Sequence, residues 1–240
     1  MPARRWVGTL SAMEFVFIRH GQPAWSVDEL NQSNPYLTDL GQQQARLAAE
    51  RLADDTAPIS EILVSPALRA QQTAAPLVEA TGITPITIDG LTELRLPEWQ
   101  GIKAEDVQRI FTESRDRSPE EWWEGLAGGE RFRDFHDRIT STMTQILADR
   151  SVRPDDQGRP HLWHVDTDPQ RIVIVAHAGT NSTALGYLLG AEPTPWEWER
   201  FVLGHASLAR ISTVPLAGEH VFSLRAFNDQ EHLPPAIRTR

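Results

Sequence analysis

Apolar residues in this chain fall into three kinds of pattern, and each predicts a different element. Unbroken runs come first: Phe15-Val16-Phe17-Ile18, Ile62-Leu63-Val64 and Ile172-Val173-Ile174-Val175-Ala176. Short, rich in β-branched residues and bounded by polar ones, they read as strands buried on both faces, as in the middle of a parallel sheet. Helical spacing is the second kind. Leu40, Ala45, Leu47, Ala48 and Leu52 share one side of a helix behind a Thr38 cap, and a second helix runs from Pro66, in its first turn, to about Ala80, with Gly82 as its stop. Phe132, Phe135, Ile139, Met143, Ile146 and Leu147 mark a helix over 132–150, and two more are expected over 104–111 and 181–189, the latter closed by Gly190. Alternation is the third kind. It covers 207–214 and 220–227 around Ala217-Gly218 and predicts an antiparallel pair extending the sheet, while 85–88 adds a short strand. Strands interleaved with helices predict an α/β fold: a three-layer sandwich with a mostly parallel central sheet, antiparallel edge strands and helices on both faces.

Three segments stand outside these patterns. Residues 115–131 combine Pro119, paired Trp122 and Trp123, and Gly125, Gly128 and Gly129. They read either as a flap over a pocket or as a hydrophobic patch packed on the domain. Irregular loops of α/β sheets usually build pockets, which favours a flap over about 103–131. Residues 153–171 are polar, and His161, His164, Asp166 and Asp168 look like metal ligands on paper. The alternation of Leu162, Trp163 and Val165 among them fits an exposed hairpin better, so no metal site is expected. Residues 1–12 hold Arg4 and Arg5 but no apolar core of a secretory signal. They read as a frayed extension, with Met13 an alternative start, ahead of one domain over 13–240.

Composition narrows the function. A chain of 240 residues suits one α/β domain. No apolar run approaches the ~20 residues of a membrane span, and a net charge of −10 argues against a nucleic-acid partner. The absence of Cys removes disulfides, thiolate catalysis and Cys-type zinc sites, and fits a reducing, cytoplasmic setting. Lys103 is the only lysine among the basic residues. Arg suits a bidentate grip on phosphate, although genome composition produces the same bias.

Candidate chemistry sits where the buried strands stop. The first ends on Arg19-His20-Gly21 and the one at 172–176 on His177-Ala178-Gly179. Taken alone, the first ending reads equally well as a solvated edge turn. Two strands ending alike on histidine make a constellation, because parallel neighbours bring His20 and His177 together at the carboxyl edge where open sheets place ligands. Arg69, one turn into the second helix, faces the same edge, or is an ordinary surface arginine. Glu93, on the loop leaving the 85–88 strand, is a candidate general acid or a plain loop charge.

Taken in order, Arg19-His20-Gly21, Ser65-Pro66-x-x-Arg69-Ala-x-Gln-Thr-Ala, Leu91-Thr92-Glu93 with Gln100-Gly101, His177-Ala178-Gly179 and the tail 206–233 resemble the histidine phosphatase superfamily, the phosphoglycerate mutase-like group. The resemblance spans residues 14–233. It implies His20 as the nucleophile that becomes phosphohistidine, Arg19, Arg69 and His177 as holders of the phosphoryl oxygens, and Glu93 as acid and then base. It also implies a substrate pocket of Arg19, Gln22, Ser26, Arg69, Glu93, His177 and Ala178, with no cofactor. There are departures. Ser26 and His205 stand where the family often has Asn, and Arg131 where Ser is frequent, so substrate groups beyond the phosphate are expected to meet an extra cation.

A phosphomonoesterase acting on a small phosphate ester leads the readings. Phosphoglycerate mutase is second: Gln100-Gly101-Ile102-Lys103 looks like it, but Asp116 separates Arg115 from Arg117 where those enzymes carry an adjacent arginine pair. A non-catalytic phospho-ligand binder and a metal hydrolase using His161 and His164 rank lower. A homodimer is an admissible assembly.

Overall fold

The computed structural model describes residues 13–240, so the expectation for 1–12 lies outside the described residues. Along the chain run β1 (Met13–Arg19), β2 (Ser26–Val27), β3 (Leu30–Asn31), α1 (Asp39–Ala53), β4 (Glu61–Val64), α2 (Leu68–Thr81), β5 (Ile86–Thr87), α3 (Ala104–Ser114), α4 (Pro119–Glu124) and α5 (Phe132–Ala148). They are followed by β6 (Val152–Pro154), β7 (Trp163–Val165), β8 (Gln170–Ala176), α6 (Ala178–Leu189), α7 (Glu197–Arg200), β9 (Leu208–Leu216) and β10 (Glu219–Asp229). Eight strands form one sheet in the order β5-β4-β8-β1-β9-β10-β7-β6. From β5 to β1 the neighbours are parallel. From β1 outward through β9 and β10 to β6 they are antiparallel.

Alternation inside the apolar runs creates the layers. Phe15, Phe17, Leu63, Ile172 and Ile174 share a core with Phe135 and Ile139 of α5 and Leu185 of α6. Val16, Ile18, Ile62, Val64, Val173 and Val175 share the other with Leu52 of α1 and Ala74 and Leu77 of α2. Successive side chains point to opposite faces, so a strand roofed on both sides needs an apolar residue at every position. That is why these runs are unbroken. The α5 positions named from helical spacing are all buried.

Several boundaries differ from expectation. Ala67 is the N-cap of α2, which leaves Pro66 just ahead of the helix rather than in its first turn. Helix α6 begins at Ala178, not at 181, because His177 itself occupies the N-cap. Within 115–131, Ser118 and Glu121 form a reciprocal capping box that starts α4, a signal legible in Ser-Pro-Glu-Glu. The 153–171 hairpin does form, but β7 also joins β10 through Trp163 and His220. Trp163 is therefore core, not surface. The β9–β10 turn uses Ala217 and Gly218 at φ 53° and 82°, the left-handed pair that matches strand twist. Among the described residues no helix is long and apolar enough to cross a membrane, and no cluster of His, Asp and Glu could hold a metal.

Candidate active site

All four parallel strands end at one edge, and each hands a polar residue to it. Strand β1 ends on Arg19 and leads to His20, β4 leads to Ser65, β8 to His177, and β5 to a 3-10 turn at Asp89–Leu91 and then Glu93. Arg19 pairs in register with Ala176, so the two following histidines meet, with ring centroids 5.2 Å apart in an edge-on arrangement. Arg69, second residue of α2, joins them. Gly21 allows close approach: a Cβ there would lie 2.4 Å from the Gly41 carbonyl oxygen, where the chain leaving His20 crosses the start of α1.

His20 is buried, and its Nδ1 lies 2.8 Å from the Gly21 carbonyl oxygen. A carbonyl only accepts, so the hydrogen sits on Nδ1 and the lone pair on Nε2. Burial, and then the charges of His177, Arg69 and Arg19, push the His20 pKa well below 6.5. The result is a neutral, nucleophilic imidazole. Fully buried His177 is shifted the same way, by burial and then by Arg69 and Arg19. Its Nε2 lies 2.7 Å from the Ser65 hydroxyl, whose oxygen also accepts from the Ala67 amide. With Ser65 donating to Nε2, the imidazole hydrogen sits on Nδ1, the nitrogen left without a partner among the described residues.

Burial lowers the pKa of Arg19 and of Arg69 to about 10, which leaves both cationic at neutral pH. Arg19 donates to the Leu203 carbonyl at 2.5 Å and to His205 Nε2 at 3.1 Å. The Arg69 guanidinium lies 4.9 Å over the Trp25 ring. Among the described residues neither is ion-paired to a carboxylate. Arg19 Nε, Arg69 Nε and His177 Nδ1 are buried with no hydrogen-bond partner among the described residues. Unpartnered buried donors are rare and costly. Three of them beside the His20 imidazole can meet a compact anion.

Glu93 docks on the N-terminus of α6. Its Oε2 accepts from the Gly179 amide and its Oε1 from the Leu94 amide, each at 2.9 Å. A Cβ on residue 179 would fall 2.6 Å from Oε1, so any larger residue there would push the carboxyl group aside. Arg138 braces the loop behind it, donating to the Gly90 and Thr92 carbonyls at 2.9 and 2.8 Å and bidentately to Glu130 at 2.9 and 2.7 Å. Glu130 in turn accepts from the Arg95 amide at 3.1 Å. Sequence reasoning missed Arg138, because α5 was read only for its apolar side.

The remaining expected residues divide. Ala178 opens α6 beside Glu93. The amide oxygen of Gln22 is taken by the Thr38 hydroxyl at 2.9 Å, and Ser26 is exposed on the β2–β3 hairpin, paired with Asn31. Arg131 does not reach the pocket. It is the exposed N-cap of α5, bidentate to Asp134 at 2.9 Å, and that local ion pair turns it away from the site as a substrate cation. His205 was noticed only as a departure, yet its ring centroid is 5.7 Å from that of His20. An arginine can only donate, so His205 Nε2 accepts from Arg19 and Nδ1–H donates to the Thr239 hydroxyl at 2.8 Å. Burial and then Arg19 lower its pKa to about 3. The C-terminal strap thus fixes Arg19 through His205.

These histidines contribute to the acid stability. His20, His177 and His205 stay neutral in the fold, whereas an unfolded histidine titrates near 6.5. The unfolded chain is therefore the better proton binder below that pH. Stability is full above about pH 6.5 and is lost as pH falls through the window beneath it, at about 1.4 kcal/mol per pH unit for each histidine. Melting temperatures measured from about pH 7 to about pH 5 should fall steeply, and less steeply in His205→Gln. Equal slopes in the two proteins would show that His205 takes no part.

Residues 15–154 match the family described as the histidine phosphatase superfamily (branch 1). A glucosyl-3-phosphoglycerate phosphatase of Mycolicibacterium vanbaalenii is 30% identical over 208 residues, covering 85% of this chain and 83% of that protein. A mycobacterial glucosyl-3-phosphoglycerate phosphatase solved with inorganic phosphate is 26% identical and superposes with a TM-score of 0.66, covering 92% of this chain and 99% of that one. A 2,3-bisphosphoglycerate-dependent phosphoglycerate mutase of Azorhizobium caulinodans is 30% identical over 151 residues, covering 58% of this chain and 70% of that protein.

Proposed function

The chain belongs to the histidine phosphatase superfamily, branch 1, and from that premise we propose that it hydrolyses small phosphate monoesters through a phosphohistidine at His20. The observation that carries this reading is the set of buried, unpartnered nitrogens, Arg19 Nε, Arg69 Nε and His177 Nδ1, gathered around a neutral imidazole. Phosphoryl transfer asks for positioning and for neutralisation of charge on three equatorial oxygens. Two arginine forks and an imidazole N–H supply that neutralisation without a divalent cation.

In the first step the His20 Nε2 lone pair attacks phosphorus, the ester P–O bond breaks, and Glu93 delivers a proton to the departing oxygen. The alcohol leaves and phosphohistidine remains. In the second step water attacks the phosphorus, Glu93 takes back a proton, and inorganic phosphate and free His20 result. One carboxyl group serves both steps because the acid of the first is the base of the second.

A mutase would have to hold its product and hand the phosphoryl group back. Here Arg115 is bound to Glu199, and Arg117 donates to the carbonyls of Glu121 and Gly125. Both line the cavity beside Arg19 and Glu93, but each already has a partner there. The test is a panel of phosphate esters scored for released phosphate, with and without EDTA. Phosphate release should be unaffected by chelation, and 3-phosphoglycerate should yield phosphate, if anything, and no 2-phosphoglycerate. Activity lost in EDTA and restored by Zn²⁺ or Mg²⁺ would overturn the metal-free mechanism. Isomer formation outrunning phosphate release would reverse the ranking of esterase over mutase.

A further inference from the structure

Glu93 and Arg19 belong to two spaces at once. On one side is the histidine pair. On the other is a cavity of about 610 Å³ that Arg19, Glu93, Ala178 and Gly179 also line. An ester whose leaving oxygen meets Glu93 therefore sends its alcohol portion into this cavity. We propose that the cavity takes the apolar body of a bulky alcohol, so that the preferred substrates are monoesters of large, mainly apolar alcohols and not of short hydrophilic ones such as glycerate. This rests on the phosphatase reading and names its substrate class.

The walls point to that chemistry. Leu94, Leu96, Phe111, Trp122, Leu126 and Trp198 line the cavity from separate stretches of chain. Trp122 is set by ring contacts to Trp196 and Trp198, with centroids 6.0 and 6.2 Å away. Leu96 and Phe111 are each 39% exposed, large side chains that the core leaves facing the solvent. Single exposed apolar residues mean little, but several converging on one concavity mark a binding site.

The rim carries arginines that each have a partner, Arg95 only loosely, 4.0 Å from Glu130. Arg115 and Arg240 both pair with Glu199, at 2.9 and 3.1 Å, and Arg117 is held by backbone carbonyls. A short hydrophilic alcohol would leave the apolar walls wet. A longer apolar body dries them, and each buried methylene strengthens binding.

The decisive experiment uses n-alkylphosphonates from ethyl to octyl, which bind like phosphate esters and cannot be hydrolysed. Calorimetric Kd should fall about fourfold per added methylene until the cavity fills. A Kd flat beyond propyl, or 3-phosphoglycerate binding more tightly than octylphosphonate, would overturn the proposal. Leu96→Glu, at an exposed position the fold tolerates, puts a carboxylate into the wall and should flatten the series. An unchanged series in that variant would place the alkyl chain elsewhere and overturn it as well. Hydrolysis of p-nitrophenyl phosphate is scored separately. A flat series with p-nitrophenyl phosphate turned over sinks only the substrate class, and a steep series with no turnover sinks only the phosphatase reading.

Discussion

Turnover in His20→Ala falls by roughly 10⁴-fold or more, while the melting temperature changes little. Of the three histidines gathered here, only His20 has an unengaged Nε2 among the described residues: His177 Nε2 meets Ser65, and His205 Nε2 meets Arg19. The fold does not depend on the ring, because His20 belongs to neither apolar core and stands beyond the end of β1. Its removal also deletes one histidine that must stay neutral when buried. The wild type, quenched during turnover of an ester labelled in phosphate, should carry acid-labile, base-stable label on protein. Label on Ser or Asp, or wild-type turnover in His20→Ala, would refute covalent catalysis by this histidine.

The second large effect is conditional on the substrate. Glu93→Gln should slow esters with poor alkoxide leaving groups by about 10²–10⁴-fold and p-nitrophenyl phosphate far less, because a phenolate leaves without a proton. Gly179→Ala offers an independent approach to the same carboxyl group. The added methyl would sit 2.6 Å from Glu93 Oε1, so Glu93 must move off the α6 N-terminus while keeping its chemistry. The same dependence on leaving group, in milder form, is expected. A uniform loss across alkyl and aryl esters in Glu93→Gln would show that the residue holds substrate and transfers no proton.

The local half of this protein was legible in its residues. Unbroken apolar runs marked the double-faced strands, and helical spacing named the buried side of α5. The strands ending on Arg19-His20 and on His177 disclosed three members of the candidate site, since parallel pairing of buried strands leaves their ends few places to go. These inferences work because apolar patterning repeats at short range, with a period of two or 3.6 residues. Only the tertiary structure decided the polar partners. Arg138 on the Gly90 and Thr92 carbonyls, His205 between Arg19 and Thr239, and Ser65 on His177 each join residues far apart in the chain. A hydrogen bond has no sequence period. Its partner depends on which strand ends arrive at one edge, and a one-residue change of exit angle selects another. Arg131 shows the same rule from the other side: next to Gly128-Gly129-Glu130 it read as a substrate cation, yet Asp134, three residues on, claims it at the start of α5 and turns it to the surface.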